Sequence, residues 1–119
     1  MKKLTEHQHQ VLVVEWFRMQ HPDKIIFAIP NGGHRNKLTA VRLKREGVLA
    51  GVPDIMMPVS SSGYFGLFVE MKCDEKGKLS KRQKDVILVL ESEGYKVAVC
   101  YGFEQAKNEI EGYLNERKN

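Results

Sequence analysis

The stretches Gly51-Val52-Pro53-Asp54-Ile55 and Phe68-Val69-Glu70-Met71-Lys72 decide how this chain is read. Successive side chains of a strand leave opposite faces, so Glu70 and Lys72 share one face and Met71 takes the other. Met71 is then a core residue, and a charged pair stands on an otherwise apolar strand. Charges are rarely buried without partners, so the pair needs a reason. Asp54 opens the preceding strand, entered through Pro53, and can reach the same face. Two carboxylates converging beside a lysine make an oxygen-rich site for a hard cation, Mg²⁺ or Mn²⁺. Such a cation neutralises charge on a scissile phosphate and lowers the pKa of a bound water. Asp54 and Glu70 would hold it, while Lys72 would orient or activate the water or offset charge developing on the phosphate. The plain structural alternative is a strand-face ion pair, with Asp54 no more than the turn residue after Pro53.

Outward from this centre, Asp54 to Val59 and Gly66 to Lys72 read as two strands joined by the turn Ser60-Ser61-Ser62-Gly63, an antiparallel hairpin. Downstream, Ser80 and Gln83 match a capping box that starts a helix from Ser80 to Glu93, with an apolar stripe of Val86, Ile87 and Leu90 and a stop at Gly94. The valine-rich run Tyr95 to Tyr101 is a strand. The unit from Gly66 to Tyr101 is then a right-handed crossover between parallel strands. A last helix runs from Phe103 to about Arg117, with Ala106, Ile110, Tyr113 and Leu114 inward.

Upstream, residues 4–20 read as a helix that is apolar on more than one side, and His21-Pro22-Asp23 ends it, because proline disfavours helix in the residue before it. Glu6 shares a helix face with Gln10, Val13 and Phe17; Glu15 shares one with Leu4, Gln8, Val11 and Met19. Ile25 to Ile29 is a short β-branched run, expected to be a strand. Pro30 to Gly33 is a loop, and the basic segment His34 to Arg45 carries a short helix capped by Thr39 and ended at Gly47. The predicted fold class is α/β: a mixed four-stranded sheet flanked by helices, its first three strands antiparallel.

With 119 residues, 42% of them hydrophobic and 29% charged, the chain is expected to form one domain over residues 1–119 around one core. A net charge of +4 and a pI of about 9.1 permit a nucleic-acid partner. No apolar run approaches the roughly 18 residues of a membrane span, and Met1 to Glu6 lead into polar residues rather than an apolar leader, so a cytoplasmic protein with no membrane contact is expected. Cys73 and Cys100 have no zinc spacing and read as free thiols. His7, His9 and His21 read as surface, Trp16 and Phe17 as core. The segment from Asn31 to Lys44 is the candidate DNA contact: His34, Arg35, Lys37, Arg42 and Lys44 can meet phosphates, which gives affinity and salt dependence but little sequence reading. Asn31, with Gly32 and Gly33, could bring backbone amides close to a phosphate. The plain alternative is a solvated basic helix.

Pro53-Asp54 followed by Glu70-x-Lys72 resembles the PD-(D/E)xK nuclease signature. The flanking blocks sharpen it: Ile29-Pro30-Asn31-Gly32-Gly33-His34-Arg35-Asn36, Glu46-Gly47-Val48-Leu49-Ala50-Gly51-Val52-Pro53-Asp54, Gly77-x-Leu79-Ser80-x-x-Gln83 and Gly94-Tyr95-x-Val97 look like the VRR-NUC (virus-type replication-repair nuclease) domain in its stand-alone phage and bacterial form. The resemblance covers nearly the whole chain. It implies a restriction-endonuclease-like core, divalent-metal-dependent hydrolysis of DNA phosphodiesters in replication, recombination or repair, selectivity for branched or junction DNA, and a homodimer. It places the metal on Asp54, Glu70 and the backbone carbonyl of Met71, and catalysis on Lys72. Gln83 matches the family's helix glutamine near the site, and the family's N-terminal glutamate falls on Glu6 ahead of Glu15. Two other readings stand beside it. One is a module of the same fold that binds DNA without cutting it; the other is an interaction protein whose acids are surface charge.

Overall fold

The computed structural model describes residues 3–30, 36–74 and 76–116. The chain runs α1 (Glu6–Gln20), β1 (Phe27–Ala28), α2 (Lys37–Arg45), β2 (Ile55–Met57), β3 (Leu67–Lys72), α3 (Lys81–Ser92), β4 (Lys96–Tyr101) and α4 (Phe103–Asn115). The strands lie side by side in the order β1-β2-β3-β4, with the first two pairings antiparallel and β3–β4 parallel. The mixed four-stranded sheet and its crossover follow the sequence expectation.

All six residues of β3 are buried, so both of its faces are covered. Leu67, Val69 and Met71 fall on one face, level with Ile55 and Met57 of β2 and Ala98 and Cys100 of β4. Val13 and Phe17 of α1 and Ala106, Ile110 and Tyr113 of α4 close over them as one core cluster. Each Val, Leu, Ile, Phe or Met side chain among them contributes roughly 1.5–3 kcal/mol by leaving water. Phe68, Glu70 and Lys72 fall on the opposite face. α3 lies on this side, yet neither it nor α2 contains a buried residue.

Several local expectations change. α1 begins at Glu6, because Thr5 and Gln8 form a capping box at its start. The five-residue run Ile25 to Ile29 yields only a two-residue strand. Its partner β2 has three residues, and Pro53 just before β2 brings no backbone donor to extend the ladder. Asn36, not Thr39, caps α2: the Asn36 side chain accepts from the Thr39 N–H at 2.8 Å. Gly47, at φ +110°, closes that helix as expected. Cys73 and Cys100 are free, the first exposed and the second buried. Trp16 is partly buried against the core and Phe17 is wholly inside it, as read from the sequence. His9 and His21 are half-buried rather than surface residues. His21 packs edge-on to Trp16, and the His9 ring accepts a hydrogen bond at the start of α4.

Candidate active site

The carboxyl end of β3 and the residue before β2 bring the candidate side chains together. Continuing the β2–β3 register by one step sets Asp54 opposite Glu70. Asp54 Oδ2 accepts a hydrogen bond from the Met71 N–H at 2.7 Å, so the carboxylate takes over the ladder where the strand ends. Gly51 holds the approach to Asp54. At φ +92° it lies so close to Arg82 that an added Cβ would stand 2.8 Å from that side chain and 2.9 Å from its carbonyl oxygen. Arg82 returns the contact by donating from Nε to the Ala50 carbonyl at 3.1 Å.

Glu70 is only 3% exposed and Lys72 9%, so the charged pair is inside the molecule. Lys72 Nζ lies 3.6 Å from Glu70 Oε2. The same oxygen accepts from Gln83 Nε2 at 3.1 Å, while Gln83 Oε1 faces Lys72 Nζ at 3.4 Å. That amide oxygen also accepts from the Ser80 N–H at 2.9 Å, which closes the capping box of α3. Gln83 therefore serves the helix and the site at once, because the start of α3 faces β3. The loop after β3 closes over the stem of Lys72: an added Cβ on Gly77 would sit 3.2 Å from the Lys72 Cβ and Cδ.

Glu70 Oε1 is buried and has no hydrogen-bond partner among the described residues. Burial pushes the Glu70 carboxyl up to about 7. The charge of Asp54 adds to this, Lys72 opposes it, and Glu6 adds further. An isolated buried carboxylate oxygen beside a second carboxylate is a poor place for negative charge unless a cation joins it. The donor set is oxygen only, which suits Mg²⁺ or Mn²⁺ and not a thiolate- or imidazole-seeking ion. No group of three His, Cys, Asp or Glu side chains gathers for a metal among the described residues. A hard cation here would rest on two carboxylates, a backbone carbonyl and water, a ligand set normal for Mg²⁺. The residues present fit such an ion.

The two glutamates of α1 separate clearly. Val13 and Phe17, which share Glu6's face, are fully buried, whereas Met19 on Glu15's face is 80% exposed. Glu6, on the inward face, is the α1 glutamate whose charge reaches Glu70.

Lys37, Arg42 and Lys44 stand exposed on α2, and Arg42 Nε lies 3.8 Å from Glu46 Oε2. Lys44 and Arg82 border a cleft of ≈ 730 Å³ whose floor is mainly apolar, with Leu43, Val48 and Leu49. Asn31, His34 and Arg35 lie outside the described residues. Arg82 was not singled out in the sequence. Its signal was its place directly before Gln83, on the first turn of the helix that faces the site.

The strand order, the crossover and the acid–acid–lysine set at one sheet end define an α/β protein of the restriction-endonuclease-like class. The family model described as VRR-NUC domain matches residues 3–104. The chain belongs to the VRR-NUC domain family, a nuclease family. A solved structure titled "VRR_NUC domain protein" is 31% identical, covering 96% of this chain and 91% of its own, with a TM-score of 0.82. A second, titled "VRR_NUC domain", is 22% identical and shares the fold at a TM-score of 0.62, covering 92% of this chain and 99% of its own. No curated protein matches the chain.

Proposed function

We propose that this chain is a divalent-metal-dependent endodeoxyribonuclease that hydrolyses DNA phosphodiesters, with a preference for branched or junction DNA, in phage or bacterial replication, recombination or repair. One observation carries the reading: Glu70 is buried with an unpartnered oxygen beside Asp54, Lys72 and Gln83. A merely structural ion pair would leave no buried acceptor unsatisfied. Asp54, Glu70 and the Met71 carbonyl would hold Mg²⁺ or Mn²⁺, with Glu6 adding negative charge from α1. The ion would supply charge neutralisation at the scissile phosphate and a more acidic water.

The chain's own groups do the rest. Lys72 Nζ, set by Glu70 and Gln83, presents a positive N–H donor where negative charge grows on the phosphate. Gln83 fixes Glu70 and Lys72 relative to one another through its two amide ends. Asn31 and the basic residues His34, Arg35, Lys37, Arg42 and Lys44 would bind backbone phosphates. The described residues hold one such site, so cutting both strands of a duplex calls for a second copy, and a homodimer is the assembly proposed. Among the described residues no helix is long and apolar enough to cross a membrane.

The deciding experiment offers supercoiled plasmid and a synthetic four-way junction with Mg²⁺, with Mn²⁺ and with chelator, beside Asp54→Asn and Lys72→Ala. Metal-dependent cutting that both substitutions abolish is the expected result. Binding of the junction without cutting in any metal, and no rise in melting temperature with Mn²⁺, would instead make it a non-cleaving DNA-binding module.

A further inference from the structure

His9 does more than its half-buried place requires. α4 starts at Phe103, and its N-cap residue Gly102 has no side chain to accept from the exposed N–H groups of the first turn. The acceptor comes instead from α1: the Phe103 N–H donates to His9 Nδ1 at 3.0 Å, across 94 residues of sequence. The His9 ring also lies close to the glycine before it. A Cβ added to Gly102, which sits at φ +95°, would stand 3.4 Å from His9 Cε1. Gly102 is in turn tied to the site strand, since its N–H donates to the Lys72 carbonyl at 2.9 Å. His9 therefore touches the two consecutive residues through which β4 becomes α4, and the first of these is bonded to the backbone of Lys72.

Glu6 stands three residues before His9 on the same helix, and side chains at that spacing are neighbours on one face. The first turn of α1 has its own capping box, but that box joins Thr5 to Gln8 and fastens the turn only to itself. The hydrogen bond from Phe103 ties this end of α1 to the carboxyl ends of β3 and β4. We propose that His9 is a positioning residue: it docks the first turn of α1 onto Gly102 and Phe103, and so sets the Glu6 carboxylate over the buried acid pair beside Lys72. The charge that Glu6 places on Glu70 agrees with this arrangement. The inference rests on the metal-dependent reading above and assigns a task to a residue outside the acid–acid–lysine set.

The test compares His9→Ala with His9→Asn, whose Oδ1 lies near the position of Nδ1 and can still accept from Phe103. Metal-free melting temperature and the Mn²⁺ concentration for half-maximal melting shift are measured for each, alone and combined with Glu6→Gln. His9→Ala is expected to weaken Mn²⁺ binding about tenfold, as loss of groups just outside the ligand set does, while His9→Asn stays within about threefold of the parent. On the Glu6→Gln background, His9→Ala should add less than about twofold, because the group it positions is gone. A lower metal-free melting temperature with an unchanged Mn²⁺ midpoint would make His9 a fold residue only and overturn the proposal. So would an effect of His9→Ala that persists in full without Glu6. A parent protein with no Mn²⁺ response at all overturns the metal reading itself, and this inference with it.

Discussion

The two faces of β3 make opposite use of one six-residue strand. Leu67, Val69 and Met71 meet hydrocarbon from α1 and α4 and are fully buried. Phe68, Glu70 and Lys72, interleaved with them, look toward α3, a helix with no buried residue, and carry the charge. Folding free energy is concentrated on the first face, and the second is where some of it is given up. A buried carboxyl with an unpartnered oxygen is a cost that hydrophobic residues of similar size would avoid. The alternation of side chains lets both demands be met within one element, and a shift of one residue in register would exchange them.

The sharpest way to break this contrast is Lys72→Ala. Cleavage of a cut substrate should fall by about 10³-fold, in the range seen when a group aimed at developing charge is removed, far more than the accompanying loss of urea stability explains. A variant that loses stability and keeps its cutting rate would reverse the roles assigned to the two faces. Met71→Ala should do the opposite. It empties a core position and should cost about 2–5 kcal/mol in urea unfolding, while cleavage per folded molecule stays near the parent's because its backbone carbonyl remains. Next comes pH. Folded Glu70 keeps its proton to about 7, whereas the unfolded side chain releases it near 4.5. Between these values the folded state binds more protons, so metal-free stability should fall as pH rises from about 4.5 to about 7 and stay low above that. Glu70→Gln should remove this slope and be the more stable protein at pH 8 without metal, by a margin on the order of 1–3 kcal/mol, the two converging near pH 4.5. Thermal melts across pH would show it. Gln83→Ala should lower stability by about 1 kcal/mol through the lost cap, and activity by more than that loss explains. Smallest is Lys44→Ala, expected to weaken DNA binding evenly across sequences and to reduce the salt slope by about one, read from binding isotherms at several salt concentrations.

The site strand was legible because period-two alternation left Glu70 and Lys72 together on one face of an otherwise apolar strand. The start of α3 was legible because Ser80 and Gln83 carry a capping signal at fixed spacing. What the sequence hid has a common cause, dependence on a distant partner. Ile25 to Ile29 has the composition of a strand, but the length of an edge strand is set by its neighbour, and β2 offers three residues. Thr39 and Asn36 are both sound caps, and which one is used depends on where the chain enters α2. His9 looks like any histidine of an amphipathic helix until Phe103 is brought to it. The second task of Gln83 needed the spatial fact that α3 begins beside the end of β3.

The two thiols differ in a way that is useful at the bench. Cys100 is buried, and that burial pushes its thiol up to about 12, so it stays unreactive in the folded protein. Cys73 is exposed and follows Lys72 directly along the chain. A maleimide dye added to the native protein would therefore label one position, next to the lysine at the centre of the site. The natural sequence thus comes with a built-in attachment point for a fluorescent reporter of DNA and metal binding, with no residue to remove first.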